Sequence, residues 1–118
     1  MLGGAMRQTG FYAAAALFAV EHHRARLAED HTNARRLAEA LAASPLVRID
    51  LATVQTNIVV FHLHPDAVDA ATLVRRARER GVLVNAFDAR TIRAVTHLDV
   101  SAGQVERAAA LLLESLAA

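Results

Sequence analysis

The stretch Thr91–Val100, with the sequence TIRAVTHLDV, predicts a β-strand that carries one charged residue and then turns into a helix. Strand side chains alternate between two faces, so we expect Ile92, Ala94 and Thr96 on one face and Arg93, Val95 and His97 on the other. An arginine among apolar neighbours must reach water or bind an anion, because burial of an unpaired charge is costly. Two interpretations follow for Arg93. It is either a clamp for a carboxylate or phosphate, or an edge-strand arginine with a solvated tip.

The residues on either side of this strand predict further elements of a small α/β domain. Ser101 and Gln104 have the spacing of a capping box, which predicts a final helix. Upstream, Val82–Ala86 is typical of a short strand. Before it, a helix is expected to begin after the cap residue Asp69 and to end at Gly81.

A second pair of strands is predicted in the middle of the chain. Ile58–Leu63 is apolar on both faces and rich in β-branched residues, as a central strand would be. Val47–Leu51 alternates apolar and polar residues, which indicates a half-exposed strand. Ser44 and Pro45 separate these strands from the helical pattern that precedes them.

The N-terminal part predicts a helical arm. After a loop over Met1–Gly10, apolar residues from Phe11 onward recur at helical spacing, which predicts a helix with one side packed inward. Helical character continues over Arg24–Ala43, and a single helix or two helices with a bend near Glu21–Arg24 both fit. The expected inward stripe of the second part comprises Leu27, His31, Ala34, Leu37, Ala38 and Leu41.

These elements predict the fold class α/β, in the α+β sense: one domain over residues 1–118, with a helical arm or interface at 1–44 and a two-layer α/β sandwich at 45–118. Its sheet is expected to be small, largely antiparallel and covered by helices on one side.

Composition limits the function further. The formal net charge is +1 with mixed signs, so neither a nucleic acid nor a membrane is expected as a partner. No apolar run approaches the roughly 18 residues that span a bilayer, and we expect a cytoplasmic protein. Cysteine is absent and the histidine spacings do not suit metal binding, so no metal site is expected. All 13 basic residues are arginine, and lysine is absent.

Three motifs carry a resemblance to a known family. They are L-G-G-A-M-R-Q at 2–8, Q-T-N at 55–57 and R-x-V-T-H-L-D-V at 93–100. Their order, with a helix pattern between the first two, resembles the C-terminal part of low-specificity L-threonine aldolases, and the resemblance covers nearly the whole chain. Ala5 stands where that family usually has a third glycine. Alanine fits there only if the position needs neither positive φ nor close backbone approach.

The resemblance implies a fold, a cofactor and an activity. Such aldolases are pyridoxal-phosphate enzymes of the aspartate-aminotransferase fold type, fold type I, and cleave L-threonine or L-allo-threonine to glycine and acetaldehyde. It implies that Arg93 binds the substrate α-carboxylate and that Arg7 lies near the cofactor at a subunit boundary. It also implies two kinds of partner: an N-terminal cofactor-binding domain, in the same or a separate chain, and further copies in a homo-oligomer.

The absence of lysine qualifies that expectation. In the resembled enzymes a lysine binds pyridoxal phosphate covalently as a Schiff base, and this chain offers no such residue. We therefore expect that the chain alone binds no cofactor covalently and is inactive. The alternatives are a non-catalytic small-molecule-binding or oligomerisation module of the same fold, and an incomplete gene product without a role of its own.

The remaining polar residues are expected to have structural roles. His97 is expected to donate a hydrogen bond at the strand end, and Ser101 to cap a helix. Asn57 would at most position a neighbour. Exposed apolar side chains are expected along Phe11–Ala43, and self-association with them.

Overall fold

Two strands form the centre of the sheet in the computed structural model, which describes residues 6–117. They are β2 (Ile58–Leu63) and β4 (Thr91–Val95), and two shorter strands, β1 (Val47–Arg48) and β3 (Asn85–Ala86), flank them. The order is β1-β2-β4-β3, and each neighbouring pair is antiparallel. In an antiparallel sheet, one face can pack on the core while the other faces solvent or a partner.

The helices cover one face of this sheet. α2 (Leu27–Ala42), α3 (Ala70–Glu79) and α4 (Ala102–Ser115) bury their apolar sides in one cluster with the core-facing strand residues. Those strand residues are Val59, Phe61, Leu63, Ile92 and Ala94. The expected faces of the 91–97 stretch are therefore confirmed for Ile92 and Ala94, and the predicted fold class, two layers with a small antiparallel sheet, is confirmed.

The predicted helix ends are confirmed at α3 and α4. The Asp69 side chain accepts a hydrogen bond of 2.8 Å from the Thr72 amide, and Gly81 closes α3 with a φ of 82°. This φ favours glycine, because a Cβ is strained there. At α4, the Ser101 hydroxyl accepts a bond from the Gln104 amide at 3.3 Å, and the Gln104 side chain accepts one from the Ser101 amide at 2.8 Å.

Substitution Ser101→Ala is expected to destabilise the protein by about 1 kcal/mol, because it leaves one amide of the first turn of α4 without its acceptor. Urea denaturation followed by circular dichroism measures this change as a lower midpoint at an unchanged slope. Ser101→Thr keeps the hydroxyl and is expected to recover most of the loss. Equal midpoints for the alanine variant and the unsubstituted chain would contradict the capping role.

The N-terminal helical stretch consists of two helices, of which the second, α2, belongs to the layer that covers the sheet. α1 (Thr9–His22) is followed by a 3-10 turn at Arg24–Arg26 before α2 begins, so the helical pattern is interrupted close to the expected bend. The prediction that α1 packs one side inward is wrong for this chain, since α1 has no buried residue. Its alanine-rich sequence is apolar on every side, which gives no single side a preference for burial.

No helix within residues 6–117 is long and apolar enough to cross a membrane.

The buried stripe of α2 also differs from the predicted one. Leu27 and His31 are exposed, whereas Asp30 and Asn33 are buried beside the expected alanines and leucines. The reason is that both polar residues lie where the end of β4 meets α2. The Thr96 hydroxyl donates to the Asp30 carbonyl oxygen at 2.7 Å, and the Asn33 amide group donates to the Val100 carbonyl oxygen at 3.3 Å.

The outer strands are shorter than predicted. β1 ends at Arg48 because Asp50 caps a 3-10 turn at Leu51–Thr53, with its carboxylate accepting a bond from the Ala52 amide. β3 is restricted to Asn85–Ala86. The Val82 amide donates to the Ala77 carbonyl and so completes the end of α3 instead of pairing with β4.

Candidate carboxylate-binding site

The face of the sheet opposite the helices is open and mostly apolar. Strand pairing places Val60 beside Arg93, Ile58 beside Val95 and Asn85 on the other side of Arg93. Ile58 and Val95 keep 42% and 40% of their surface exposed. We call the residues of this surface the open face: Ile58, Val60, His62, Asn85, Phe87, Arg93 and Val95.

Arg93 lies in the middle of the open face. It is half-buried between β2 and β3, as the strand alternation predicts. Its Nε is buried and has no hydrogen-bond acceptor among the described residues. No ion pair within residues 6–117 includes Arg93. A buried donor without a partner costs about 1–3 kcal/mol, so an anion that accepts from this edge would stabilise the arrangement.

Phe87 is the aromatic neighbour of Arg93. The guanidinium carbon of Arg93 lies 5.4 Å from the centroid of the Phe87 ring. Phe87 follows β3 directly, and its amide donates to the Thr91 carbonyl at 2.8 Å, which sets it on the same face as Asn85 and Arg93. This contact was not foreseen from the sequence. The available signal was an aromatic residue and an arginine on opposite sides of a short turn between two predicted strands.

The residues after Arg93 in the motif fix the end of β4. The Asn57 side chain donates to the Thr96 carbonyl at 2.7 Å, and the Thr96 amide donates to the Asn57 carbonyl at 2.9 Å. The Thr96 hydroxyl reaches α2 at Asp30. Asn57 and Thr96 thus hold the strand that carries Arg93, and they are directed towards the body of the domain.

His97 and Asp99 form a local turn. Nδ1 of His97 lies 3.4 Å from the Asp99 amide and 3.6 Å from the Asp99 carboxylate. The donor role expected for His97 stays a prediction. No group of three or more histidine, cysteine, aspartate or glutamate side chains within residues 6–117 is arranged to hold a metal ion.

Arg7 lies apart from the buried core. It is exposed in the turn that precedes α1, next to Gln8, whose φ of 55° is left-handed. The turn is held by local hydrogen bonds, from the Thr9 hydroxyl to the Met6 carbonyl and from the Phe11 amide to the Gln8 carbonyl. The Leu2–Ala5 part of the first motif lies outside the described residues. The role of Arg7 towards a cofactor stays a prediction.

The arrangement offers donors of the kind that suit a carboxylate, and the role of Arg93 towards a substrate stays a prediction. Arg93 offers charged donors at the edge of an apolar surface, where a charge-assisted hydrogen bond is stronger than in water. His62, hydrogen-bonded to the Thr91 hydroxyl at 3.0 Å, lies on the same face next to β1. The chain has no lysine, and the expectation that it alone binds no pyridoxal phosphate covalently stays a prediction.

Comparison with known proteins assigns the family. The family model for beta-eliminating lyases matches residues 1–64. The chain belongs to the beta-eliminating lyase family. Among curated relatives, the low specificity L-threonine aldolase of Escherichia coli (strain K12) is 41% identical over 112 residues, which is 93% of this chain and 31% of the relative. Low-specificity L-threonine aldolase 1 of Arabidopsis thaliana is 33% identical over 105 residues, or 88% of this chain and 29% of the relative.

The chain thus spans about a third of the length of the lyases that it matches. The resemblance noted from its motifs, to part of a low-specificity L-threonine aldolase, is confirmed at the level of the family and of these relatives.

Solved structures show the same fold. Ornithine aminotransferase from Plasmodium yoelii has a TM-score of 0.59 at 16% identity, over 76% of this chain and 25% of that one. Ornithine delta-aminotransferase of Plasmodium falciparum has a TM-score of 0.56 at 16% identity, over 71% and 21%. At such low identity the match establishes the fold, and it agrees with the predicted fold type.

Proposed function

We propose that this chain is the C-terminal domain of a pyridoxal-phosphate-dependent L-threonine aldolase, which cleaves L-threonine or L-allo-threonine to glycine and acetaldehyde. In this proposal the domain supplies Arg93 as the residue that binds the substrate α-carboxylate. It acts together with an N-terminal cofactor-binding domain, in a longer chain or as a separate polypeptide, and in a homo-oligomer.

The observation that carries the proposal is the environment of Arg93. Arg93 is half-buried on an apolar face, its buried Nε has no acceptor among the described residues, and no acidic side chain in residues 6–117 pairs with it. A purely structural arginine would be expected to have a protein partner, and none of the described residues provides one. A ligand carboxylate supplies two acceptor oxygens in the geometry that matches a guanidinium edge.

Binding of the carboxylate contributes to catalysis through orientation. Bound pyridoxal phosphate would supply an electron sink for the bond that breaks in a β-hydroxy amino acid. The contribution of Arg93 is to hold one end of the substrate, so that its Cα–Cβ bond is presented in a single orientation. Arg7 is the residue of this chain that we assign to the cofactor region. It would offer a charged donor near the start of a helix, where anions are favoured.

Three observations support a partner domain as part of the proposal. The chain lacks a lysine, and its relatives are about three times as long. The open face and α1 expose apolar side chains that a companion domain or a second copy would cover, among them Phe11, Phe18, Ile58 and Val95.

We expect the chain alone to form no glycine from L-threonine, and we expect activity when it is mixed with a lysine-bearing N-terminal polypeptide of the same family and pyridoxal phosphate. Glycine release, measured by amino-acid analysis, reports the reaction. Either polypeptide alone is the control. Borohydride reduction followed by mass spectrometry should place all covalently attached cofactor on the N-terminal polypeptide.

Two results would contradict the proposal. The first is reduced cofactor covalently bound to this chain. The second is a mixture that forms a stable complex on size-exclusion chromatography but releases no glycine. The second result would favour the non-catalytic binding or oligomerisation module instead.

A further inference from the structure

Phe87 contacts the guanidinium of Arg93 although most of its own surface is free. Phe87 is 62% exposed, yet the centroid of its ring lies 5.4 Å from the guanidinium carbon. Exposed apolar side chains are common on protein surfaces, so the exposure of Phe87 alone carries no argument. The observation that does is the contact of its ring with the Arg93 guanidinium.

The turn that carries Phe87 is fixed on both sides. The Asp88 carboxylate accepts a hydrogen bond of 2.8 Å from the Arg90 amide. This bond, together with one from the Thr91 hydroxyl, lowers the pKa of Asp88, so that the acceptor stays ionised. The Arg90 guanidinium donates to the carbonyl oxygens of His64 and Ala67 at 3.1 and 2.8 Å, which holds the turn against the chain between β2 and α3.

A contact with the ring face restricts Arg93 without using its donors. The attraction between a cation and an aromatic ring acts through the face of the ring, so the N–H groups of the guanidinium stay available. An arginine side chain loses considerable rotamer freedom when it binds a ligand. A ring that already holds the guanidinium reduces that loss, and the ligand is bound more tightly as a result.

We propose that Phe87 is a positioning residue for Arg93, which holds the guanidinium ready for the carboxylate of a small amino-acid ligand. This inference rests on the proposed function, because it assumes that Arg93 binds a carboxylate. The alternative is that Phe87 only contacts a partner domain and has no effect on the affinity of Arg93. The positioning role predicts that the affinity of the chain for a carboxylate falls when the Phe87 ring is removed, whereas the alternative predicts an unchanged affinity.

The test follows the Arg93 Nε–Hε resonance by NMR during titration of the 118-residue chain with sodium acetate. In Phe87→Leu, the dissociation constant for acetate is expected to rise about three- to tenfold. The ring-current shift of the Arg93 Hε should disappear as well. Phe87→Tyr keeps the aromatic face and is expected to restore both. The matched control is Leu83→Ala, which removes another exposed apolar side chain from the same segment and is expected to change neither.

The possible results distinguish an error in the carboxylate-binding role of Arg93 from an error in the positioning role of Phe87. If acetate leaves the Arg93 resonance of the unsubstituted chain unchanged, or if Arg93→Ala binds acetate equally well, carboxylate binding by Arg93 is wrong, and the positioning role with it. If Arg93→Ala abolishes binding while Phe87→Leu retains full affinity, only the positioning role is wrong. Amide spectra of β2 and β4 monitor folding. An affinity loss without change in these spectra supports the positioning role, whereas an affinity loss in Leu83→Ala as well would overturn it.

Discussion

Replacement of Arg93 by alanine, in the complex of this chain with a lysine-bearing N-terminal polypeptide, is expected to reduce kcat/KM for L-threonine roughly ten- to a hundredfold, since hydrogen bonds between charged groups contribute about 1.5–3 kcal/mol. KM should rise because the carboxylate loses its binding partner. In addition, kcat should fall because the substrate is no longer held in one orientation. Steady-state glycine formation over a range of threonine concentrations separates the two effects.

The matched control for this experiment is Arg48→Ala. Arg48 is exposed in β1 and pairs with His62, so it lies on the same side of the sheet, yet another strand separates it from Arg93. The substitution removes the same charge and is expected to change kcat/KM by less than about a factor of two, because exposed charges are strongly screened. An unchanged KM in the Arg93 variant would remove this residue from the substrate site.

The sequence predicts the placement of Arg93 because strand alternation is a local property. Ile92 and Ala94 are apolar on one face, and this pattern already assigns Arg93 to the other, whatever the rest of the fold does. The helix ends at Asp69, Gly81 and Ser101 are predictable for the same reason, since each depends on residues within one turn.

The contacts of the site depend on residues distant in sequence and could not be predicted in this way. Asp30 and Asn33 are buried because they bond to Thr96 and Val100, more than sixty residues later. The ring of Phe87 contacts Arg93 because the turn between β3 and β4 sets which residues of the two strands lie beside each other. The packing of α1 was mispredicted because a helix that is apolar on all sides gives no information about which side is covered.

The sheet that presents Arg93 packs on the core in part through Phe61. Phe61, in β2, is fully buried and is the only aromatic side chain in the described core, where many of the other buried residues are alanines. Its backbone pairs with Ile92, the residue that precedes Arg93. Loss of the Phe61 ring should therefore affect both the stability of the domain and the strand that carries the site.

Substitution Phe61→Ala is expected to destabilise the domain by about 3–5 kcal/mol, through the lost burial of the ring and the cavity that remains. Domains of this size are stable by about 5–15 kcal/mol, and an alanine-rich core buries less apolar area than most. The variant is therefore expected to be close to unfolding at 37 °C. Thermal and urea denaturation followed by circular dichroism measure the loss, on the chain alone.

The matched control is Phe11→Ala, the same chemical change at a side chain that is 80% exposed on α1. It is expected to alter the free energy of unfolding by less than about 0.5 kcal/mol, because surface substitutions of this kind remove few contacts. Phe61→Leu should lose less than Phe61→Ala, since it fills more of the cavity. If the two alanine variants had equal midpoints, the Phe61 ring would not be packed in the core, and the two-layer packing that presents Arg93 on the open face would be wrong.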